Sequence, residues 1–230
     1  MAGSDETPAA PLVSVEVERK YDVDEATPVP SLQGLPGAAS VDGPELRELD
    51  ALYLDSDDAV LARGGVALRR REGGPDAGWH IKGPKLPGGG RREYQWPLGE
   101  KVDAGMDASA IVAVPSHVAA AVAEWAGDAV MRPLARIQNS RSVWNVRDAA
   151  GAVIVEFVDD HVTGTDLRGT GDNGRGVVRV WREWEAELGP AAPEDEGARE
   201  ALFAALEQAV TAVGGRVSTS IAKLARTLGV

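Results

Sequence analysis

The segment from Val15 to Tyr21 alternates between charged and apolar side chains, and this constrains the fold more than any other feature. Glu16, Glu18 and Lys20 share one face of a predicted strand, because successive side chains of a strand point to opposite sides. Carboxylates two residues apart on a strand lie about 7 Å from each other, so they can share a hard cation, with Lys20 beside them for an anion. Taken alone, the segment also fits a half-buried strand with a solvated polar face.

Charged faces recur along the later predicted strands. The residues that share a face are Arg69 with Arg71, His80 with Lys82, Arg91 with Glu93, Glu156 with Asp160, and Glu183 with Glu185 and Glu187. In an ordinary small barrel, such faces are the solvated exterior. If helices cover the apolar faces instead, the charges line the lumen. Burying these charges without water or counter-ions would cost tens of kcal/mol. A charged lumen must therefore hold water, metal and a polyanion.

Composition excludes several classes of protein. The chain of 230 residues can bury a sizeable core, and one large domain is expected. Its net charge of -12 argues against a general nucleic-acid binder. The lack of cysteine excludes disulfides and thiolate metal sites. No apolar run approaches the roughly 18 residues of a membrane span and no signal peptide is evident, so a cytoplasmic protein without a membrane partner is predicted.

The order of the predicted elements favours an antiparallel barrel with helices outside, an α+β fold that is mainly antiparallel β. Met1 to Pro11 is predicted to be a disordered lead, and residues 12–230 a single domain. Strands are predicted at Leu12–Val23, Ala51–Asp55, Val66–Glu72, Gly78–Gly83, Arg91–Leu98, Leu134–Ser140, Ser142–Asp148, Val153–Val162 and Val177–Leu188, and Glu45–Ala51 is either a strand or a short helix. Helices are predicted at Asp57–Arg63 (capped by Ser56 or Asp57), Ser109–Val114, Ser116–Ala126, Glu194–Val213 and Ser218–Leu228, with a helical turn within Ala26–Ser40.

Eight blocks of residues follow one another in an order that resembles a known superfamily. They are Glu16-Val-Glu18-Arg-Lys20, Tyr53-Leu-Asp55-Ser56 through Leu68-Arg69-Arg70-Arg71, Ile81-Lys82-Gly83-Pro84, Arg91-Arg92-Glu93-Tyr94, Arg141, Val158-Asp159-Asp160, Arg182-Glu183-Trp184-Glu185-Ala186-Glu187-Leu188, and Ser220-Ile-Ala-Lys223-Leu-Ala-Arg226. This pattern resembles the CYTH superfamily, the triphosphate tunnel metalloenzymes, over about Val13 to Leu228. The resemblance implies a closed tunnel of eight antiparallel strands that binds and hydrolyses a triphosphate, inorganic tripolyphosphate or an organic triphosphate, with Mg²⁺ or Mn²⁺.

The resemblance also implies roles for individual residues. The expected substrate ligands are Lys20, Arg69, Arg71, Lys82, Arg91, Arg141 and Lys223, since guanidinium and ammonium groups bind phosphate oxygens. The expected metal ligands are Glu16, Glu18, Glu156, Asp160, Glu183, Glu185 and Glu187, because hard cations prefer oxygen. Catalysis is expected of Glu16, Glu18, Lys20, Glu183 and Glu185, and Glu93 is expected to orient a basic neighbour such as Arg91. Arg141 is preferred to Arg136. Strand parity favours Asp160, whereas a bulge would favour Asp159.

Two other functions remain open at this point. Class IV type adenylate cyclases share the tunnel but need a site for the base, and a polyphosphate-binding module would need no catalysis. Some relatives carry a helical CHAD domain, implicated in polyphosphate association, after the tunnel. This chain stops at Val230, soon after the Lys223 segment, so it is also considered as the tunnel part of such a protein, either monomeric or homodimeric.

Overall fold

The structure is a computed structural model that describes residues 10–87, 89–99, 108–168, 176–220 and 222–230. This part of the chain forms ten strands and four helices. The strands are β1 Leu12–Glu16, β2 Glu18–Asp22, β3 Ser40–Asp55, β4 Ala67–Glu72, β5 Gly78–Lys85, β6 Arg91–Pro97, β7 Arg132–Arg147, β8 Val153–Asp166, β9 Val177–Leu188 and β10 Arg216–Val217. The helices are α1 Val60–Arg63, α2 Ser116–Ala126, α3 Glu196–Ala212 and α4 Lys223–Leu228.

One antiparallel sheet contains all these strands, in the order β1-β6-β5-β4-β3-β7-β8-β9-β2-β10. Only Val17 separates β1 from β2, so the amino-terminal segment is one bent strand that pairs with β6 in its first half and β9 in its second. The Leu188 N–H donates to the Val17 carbonyl at 2.9 Å, which continues the pairing across the bend. With β1 and β2 counted as one strand and β10 as an addition at the rim, the predicted eight-stranded antiparallel barrel is confirmed.

Helices cover the apolar outer faces of the strands. On one side, Leu202 and Leu206 of α3 pack in a core cluster with Tyr21, Phe157 and Trp184. On another side, α1 and α2 pack over the outward residues of β4, β5 and β6, which are Leu68, Trp79, Ile81 and Trp96. Because these faces are covered, the charged faces of the same strands lie inside the barrel. The structure therefore favours the second interpretation of the sequence, a charged lumen.

Several predicted elements differ in extent from those observed. The predicted strand Leu12–Val23 is divided at Val17, and the two strands predicted within residues 134–148 form the single strand β7 because Arg141 keeps its pairing on both sides. Residues 45–51 are a strand, as part of β3. The helix predicted at Ser109–Val114 and the helical turn predicted within Ala26–Ser40 do not form, although non-helical turns occur at residues 33–34 and 36–37. A residue that precedes a proline, as Val114 does, disfavours helical dihedrals. Helix α4 begins at Lys223 rather than Ser218. Residues 1–9 of the predicted lead lie outside the described residues.

A buried carboxylate holds the start of α1. Asp55, which is 2% exposed, accepts hydrogen bonds from the backbone N–H groups of Ser56, Leu61 and Ala62 at 2.8, 3.0 and 3.0 Å. The predicted cap Ser56 contributes through its hydroxyl, which accepts from the Val60 N–H at 3.1 Å. The other predicted cap, Asp57, pairs with Arg132 instead. The turn after β3 therefore depends on the last residue of the strand itself.

Asp55→Ala is expected to lower the free energy of unfolding by about 2–3 kcal/mol, because it leaves buried N–H groups without acceptors. Urea unfolding measures this change. Asp57→Ala is the matched control, since the Asp57 side chain is 78% exposed and its loss should cost less than about 0.5 kcal/mol. Equal unfolding midpoints for the two variants would contradict the assignment.

Among the described residues, no helix combines the length and the apolar character that crossing a membrane requires.

Candidate functional site

The barrel encloses a cavity of about 680 Å³. Its lining includes the inward side chains of all eight barrel strands and residues of α4 and its preceding turn. Of the residues predicted to form the site, those that line the cavity are Glu16, Glu18, Lys20, Arg69, Arg71, Lys82, Arg91, Arg141, Glu156, Glu185, Glu187 and Lys223. Asp160, Glu183 and Glu93 are buried beside it and contact its cations. The fold therefore brings together residues from both ends of the sequence.

A cationic wall is formed by β4, β5 and β6. Arg69 and Arg71 come from β4, Lys82 from β5 and Arg91 from β6. Arg71 makes an ion pair with Asp76. Burial, together with the neighbouring Arg69 and Arg141, lowers the pKa of Arg71 to about 9. A binding anion would relieve this repulsion.

Glu93 lies at the centre of the cationic wall. Its carboxylate lies 3.2 Å from Arg69, 2.8 Å from the Nδ1 atom of His80 and 3.9 Å from Lys82. The basic neighbours of Glu93 are thus Arg69 and Lys82 and not Arg91, the example predicted from the sequence, whose guanidinium donates to the carbonyls of Gly65 and Gly83. Burial lowers the pKa of His80 to about 4, against the opposing effect of Glu93. Glu93 therefore contacts Arg69 and His80 and lies near Lys82.

Three carboxylates surround the ammonium group of Lys223. The Nζ atom lies 2.8 Å from Asp160, 2.6 Å from Glu183 and 2.7 Å from Glu185. These carboxylates could hold a metal ion by their spacing, since their ligand atoms lie within 4.8 Å of one another. Burial by itself would lower the pKa of Lys223, but the three carboxylates raise it well above its usual value. In this arrangement an ammonium group occupies the position between them.

Arg141 and Lys20 also form ion pairs with the carboxylates that surround Lys223. Arg141 donates two hydrogen bonds of 2.8 Å to Asp160 and one of 3.1 Å to Glu185, and Lys20 also pairs with Glu185. Burial by itself would raise the pKa of Glu185, but Lys20, Lys223 and Arg141 hold it well below its usual range. The negative charge of this cluster is therefore already balanced by protein cations.

A second group of carboxylates is only partly compensated: Lys82 pairs with Glu16 and Lys20 pairs with Glu18, but Glu187 has no ion pair among the described residues. Glu18 lies opposite Glu187 in the β2–β9 register, and Glu187 lies opposite Glu156 in the β8–β9 register, so three like charges form a row across three strands, which is unfavourable without a cation. Burial, together with Glu18, Glu185 and Glu156, raises the pKa of Glu187 to about 7 against the effect of Lys82. Burial, together with Glu93 and Glu187, raises the pKa of Glu16 to about 8, although Lys82 lies 2.5 Å away.

The structure shows which residue of two candidate pairs, Asp159 or Asp160 and Arg136 or Arg141, faces the inside of the barrel. Asp160 contacts Arg141 and Lys223 inside the barrel, whereas Asp159 pairs with Arg182 on the outer side at 2.8 Å. Arg141 lines the cavity, whereas Arg136 pairs with Asp50 outside it. The β7–β8 register continues through Asp160 without a bulge, so the alternation persists.

Arg47 was missed by the sequence analysis, although it lines the cavity. It lies on β3 with Leu49, Ala51 and Tyr53 on the same side. The alternation from residue 45 to residue 53 was the available signal. Because residues 45–51 were left as either strand or helix, their faces could not be assigned.

A closed antiparallel barrel whose lumen carries a cationic wall and a second group of carboxylates defines this chain as a tunnel protein with a charged interior. The CYTH domain family model matches residues 14–209. The chain therefore belongs to the CYTH domain family, as the resemblance predicted.

Two proteins that are similar to this chain in sequence are longer than it is. The uncharacterized proteins MT2285 and Rv2226 of Mycobacterium tuberculosis (strains CDC 1551 / Oshkosh and ATCC 25618 / H37Rv) are each 36% identical over 224 residues, covering 95% of this chain and 41% of the relative. The chain thus spans about two fifths of the length of these relatives.

Solved structures show the same fold at low identity. A Bacillus halodurans protein named as a candidate adenylate cyclase has a TM-score of 0.57 at 17% identity and covers 93% of this chain and 97% of its own. The PH1819 protein of Pyrococcus horikoshii OT3 has a TM-score of 0.52 at 14% identity, over 93% and 98% of the two chains. The candidate adenylyl cyclase HpAC1 of Hippeastrum, described with a dominant triphosphatase activity, has a TM-score of 0.52 at 17% identity, over 94% and 95%.

Proposed function

We propose that this protein hydrolyses a triphosphate, with inorganic tripolyphosphate as the favoured substrate, in a reaction that depends on a divalent metal ion. The observation that carries the proposal is the division of one cavity into a cationic wall and a row of three carboxylates, of which Glu187 has no ion pair among the described residues. A triphosphate with four or more negative charges matches the first, and a hard cation matches the second.

The cations would hold the substrate along the cavity. Arg69, Arg71, Lys82 and Arg91 would bind phosphate oxygens on one side, and Lys20, Arg141 and Lys223 would bind them on the other. Arg69 is held at both ends, since its guanidinium donates to the Tyr53 hydroxyl at 3.3 Å and to Glu93 at 3.2 Å. Such fixed donors need no rearrangement as negative charge moves in the transition state. Catalysis would consist mainly of positioning and charge neutralisation.

The metal ligands that fit best are Glu16, Glu18, Glu156 and Glu187. The row of like charges and the raised pKa values of Glu16 and Glu187 indicate a site where a further positive charge would be favourable, and an all-oxygen set suits Mg²⁺ or Mn²⁺. When bound there, such a cation would neutralise phosphate oxygens and make water a better nucleophile. Asp160, Glu183 and Glu185 fit this role less well, because Lys223 already lies between them; we propose that they position Lys223 and Arg141.

The lining of the cavity favours an inorganic substrate. Tyr53 is the single aromatic residue among the described lining residues, and its hydroxyl is engaged with Arg69. A nucleotide or thiamine moiety would gain from a ring to stack on. Cyclisation of ATP therefore has less support than hydrolysis, and binding of polyphosphate without hydrolysis is the remaining outcome.

Phosphate release from tripolyphosphate, ATP and thiamine triphosphate, each with Mg²⁺ and with Mn²⁺, tests the proposal. We expect release from tripolyphosphate with metal and none after chelation. Formation of cyclic AMP from ATP would favour the cyclase alternative. Tight binding of tripolyphosphate without turnover would favour the binding module and contradict the proposed hydrolysis.

The raised pKa of Glu187 predicts how pH affects stability without metal. A carboxyl group whose pKa is higher in the folded state binds more protons when folded, so its stabilising effect is full below pH 4.5 and is lost as pH rises through about 7. Glu187→Gln should therefore match the wild type at pH 5 and melt at least about 2 °C higher at pH 8.5 in chelator. Added Mn²⁺ should raise the melting temperature of the wild type more than that of the variant. A variant less stable than the wild type in chelator at pH 8.5 would contradict the assignment.

A further inference from the structure

Arg47 is a mostly buried cation of the cavity that lies outside the motifs of the sequence. Its side chain is 15% exposed and lines the cavity near Asn145 and Glu156. In the register of β3 and β7, Arg47 lies directly opposite Arg141. Arg47 and Arg141 therefore form a pair of neighbouring cations on β3 and β7.

Arg47 forms weaker ion pairs than Arg141 does. Arg141 is held by the buried carboxylates Asp160 and Glu185. The guanidinium of Arg47 donates to Glu45 at 2.9 and 3.0 Å, and the Glu45 side chain is 58% exposed. Its only recorded inward partner among the described residues is Glu156 at 3.7 Å. Exposed ion pairs contribute little free energy, whereas two guanidinium groups directly opposite each other repel.

A guanidinium in this position gains more from an anion in the cavity than from Glu45. A phosphate group offers the same bidentate geometry as a carboxylate with more charge, and in the cavity it would relieve the repulsion between Arg47 and Arg141. The alternative is a purely structural role, in which Glu45 and Arg47 stabilise β3 as a pair two residues apart.

We infer that Arg47 binds a phosphate group of the substrate, and that Glu45 competes with the substrate for its guanidinium. This inference rests on the proposed triphosphate site and adds a ligand to it. It makes opposite predictions for the two members of the ion pair. Removing the guanidinium should weaken binding, and removing the competing carboxylate should strengthen it. In a structural role, both changes would act in the same direction.

The test is calorimetric binding of tripolyphosphate to the intact chain in chelator, where no metal-dependent turnover occurs. Arg47→Met, which keeps most of the apolar stem, should weaken binding about 10-fold or more, the size expected of one charge-assisted contact. Glu45→Gln should leave binding unchanged or tighten it up to several-fold. Arg63→Met is the charge-matched control, because the Arg63 side chain is 60% exposed and its effect is screened at 0.15 M salt. Its affinity should stay within about twofold of the wild type.

The outcomes separate this inference from the function on which it rests. Wild-type protein that does not bind tripolyphosphate would overturn both. Wild-type binding that is unchanged in Arg47→Met would overturn the role of Arg47 alone. Equal weakening in Arg47→Met and Glu45→Gln, with equal losses of melting temperature, would support the structural role and overturn the inference. Equal weakening in Arg47→Met and Arg63→Met would reduce the effect to net charge and also overturn it.

Discussion

Glu18→Gln is expected to reduce the turnover of tripolyphosphate at saturating Mg²⁺ by at least about 100-fold. Glu18 begins the row of carboxylates that continues through Glu187 to Glu156, and Lys20 lies 3.0 Å away. The amide keeps the shape of the side chain but loses the charge that a hard cation requires. Removing a residue that hydrogen-bonds a metal ligand typically lowers metal affinity or activity about 10–100-fold. Removing a direct ligand should therefore lower activity at least as much. Glu16→Gln should behave in the same way.

Steady-state phosphate release and a thermal melt of each variant measure this effect. Glu200→Gln is the matched control, because Glu200 is exposed on α3 and pairs only weakly with Arg19 at 3.4 Å. Its turnover should equal that of the wild type. Full activity of both Glu16→Gln and Glu18→Gln at saturating metal would exclude this end of the cavity as the metal site.

Arg69→Ala and Arg71→Ala should each weaken substrate binding by about 2 kcal/mol or more, close to 30-fold, through loss of a charge-assisted phosphate contact. Both side chains come from β4, line the cavity and are largely buried. Because these arginines hold the substrate in the ground state and the transition state alike, the loss should appear mainly in KM. KM values for tripolyphosphate, with melting temperatures for each variant, measure it.

Arg70, which lies between Arg69 and Arg71 on β4, is not a suitable control for these two variants. Alternation along β4 turns Arg70 away from Arg69 and Arg71, and a solvated surface charge in that position could be removed at almost no cost. The structure confirms the direction but leaves the side chain only 11% exposed, in an ion pair with Glu72. Arg70→Ala is therefore expected to change stability, so Arg216→Ala, at a site 60% exposed, is the better control. If Arg70→Ala raised KM and Arg69→Ala did not, the side assignments of β4 would be inverted.

Strand alternation predicted, for most strands, which side chains lie on the same face. Glu183, Glu185 and Glu187 turn inward while Trp184 and Ala186 join the outer core, as the period of two requires. The same rule failed to find Arg47 because its segment was not assigned to a strand. The family resemblance supplied what alternation could not, which was the expectation that the charged faces point inward. The roles of these residues in binding and catalysis stay predictions.

The sequence by itself determined which side chains share a face, because alternation is a local property of the backbone. Only the tertiary structure decided which carboxylates already have a cation. Lys223 lies 63 positions after Asp160 in the chain, yet it lies 2.8 Å from that carboxylate because α4 folds back against the barrel. Glu187 lies opposite Glu18 and Glu156 because of the register of three strands. Register depends on packing between distant segments, and it places Glu187 between two other carboxylates while Lys223 lies among Asp160, Glu183 and Glu185.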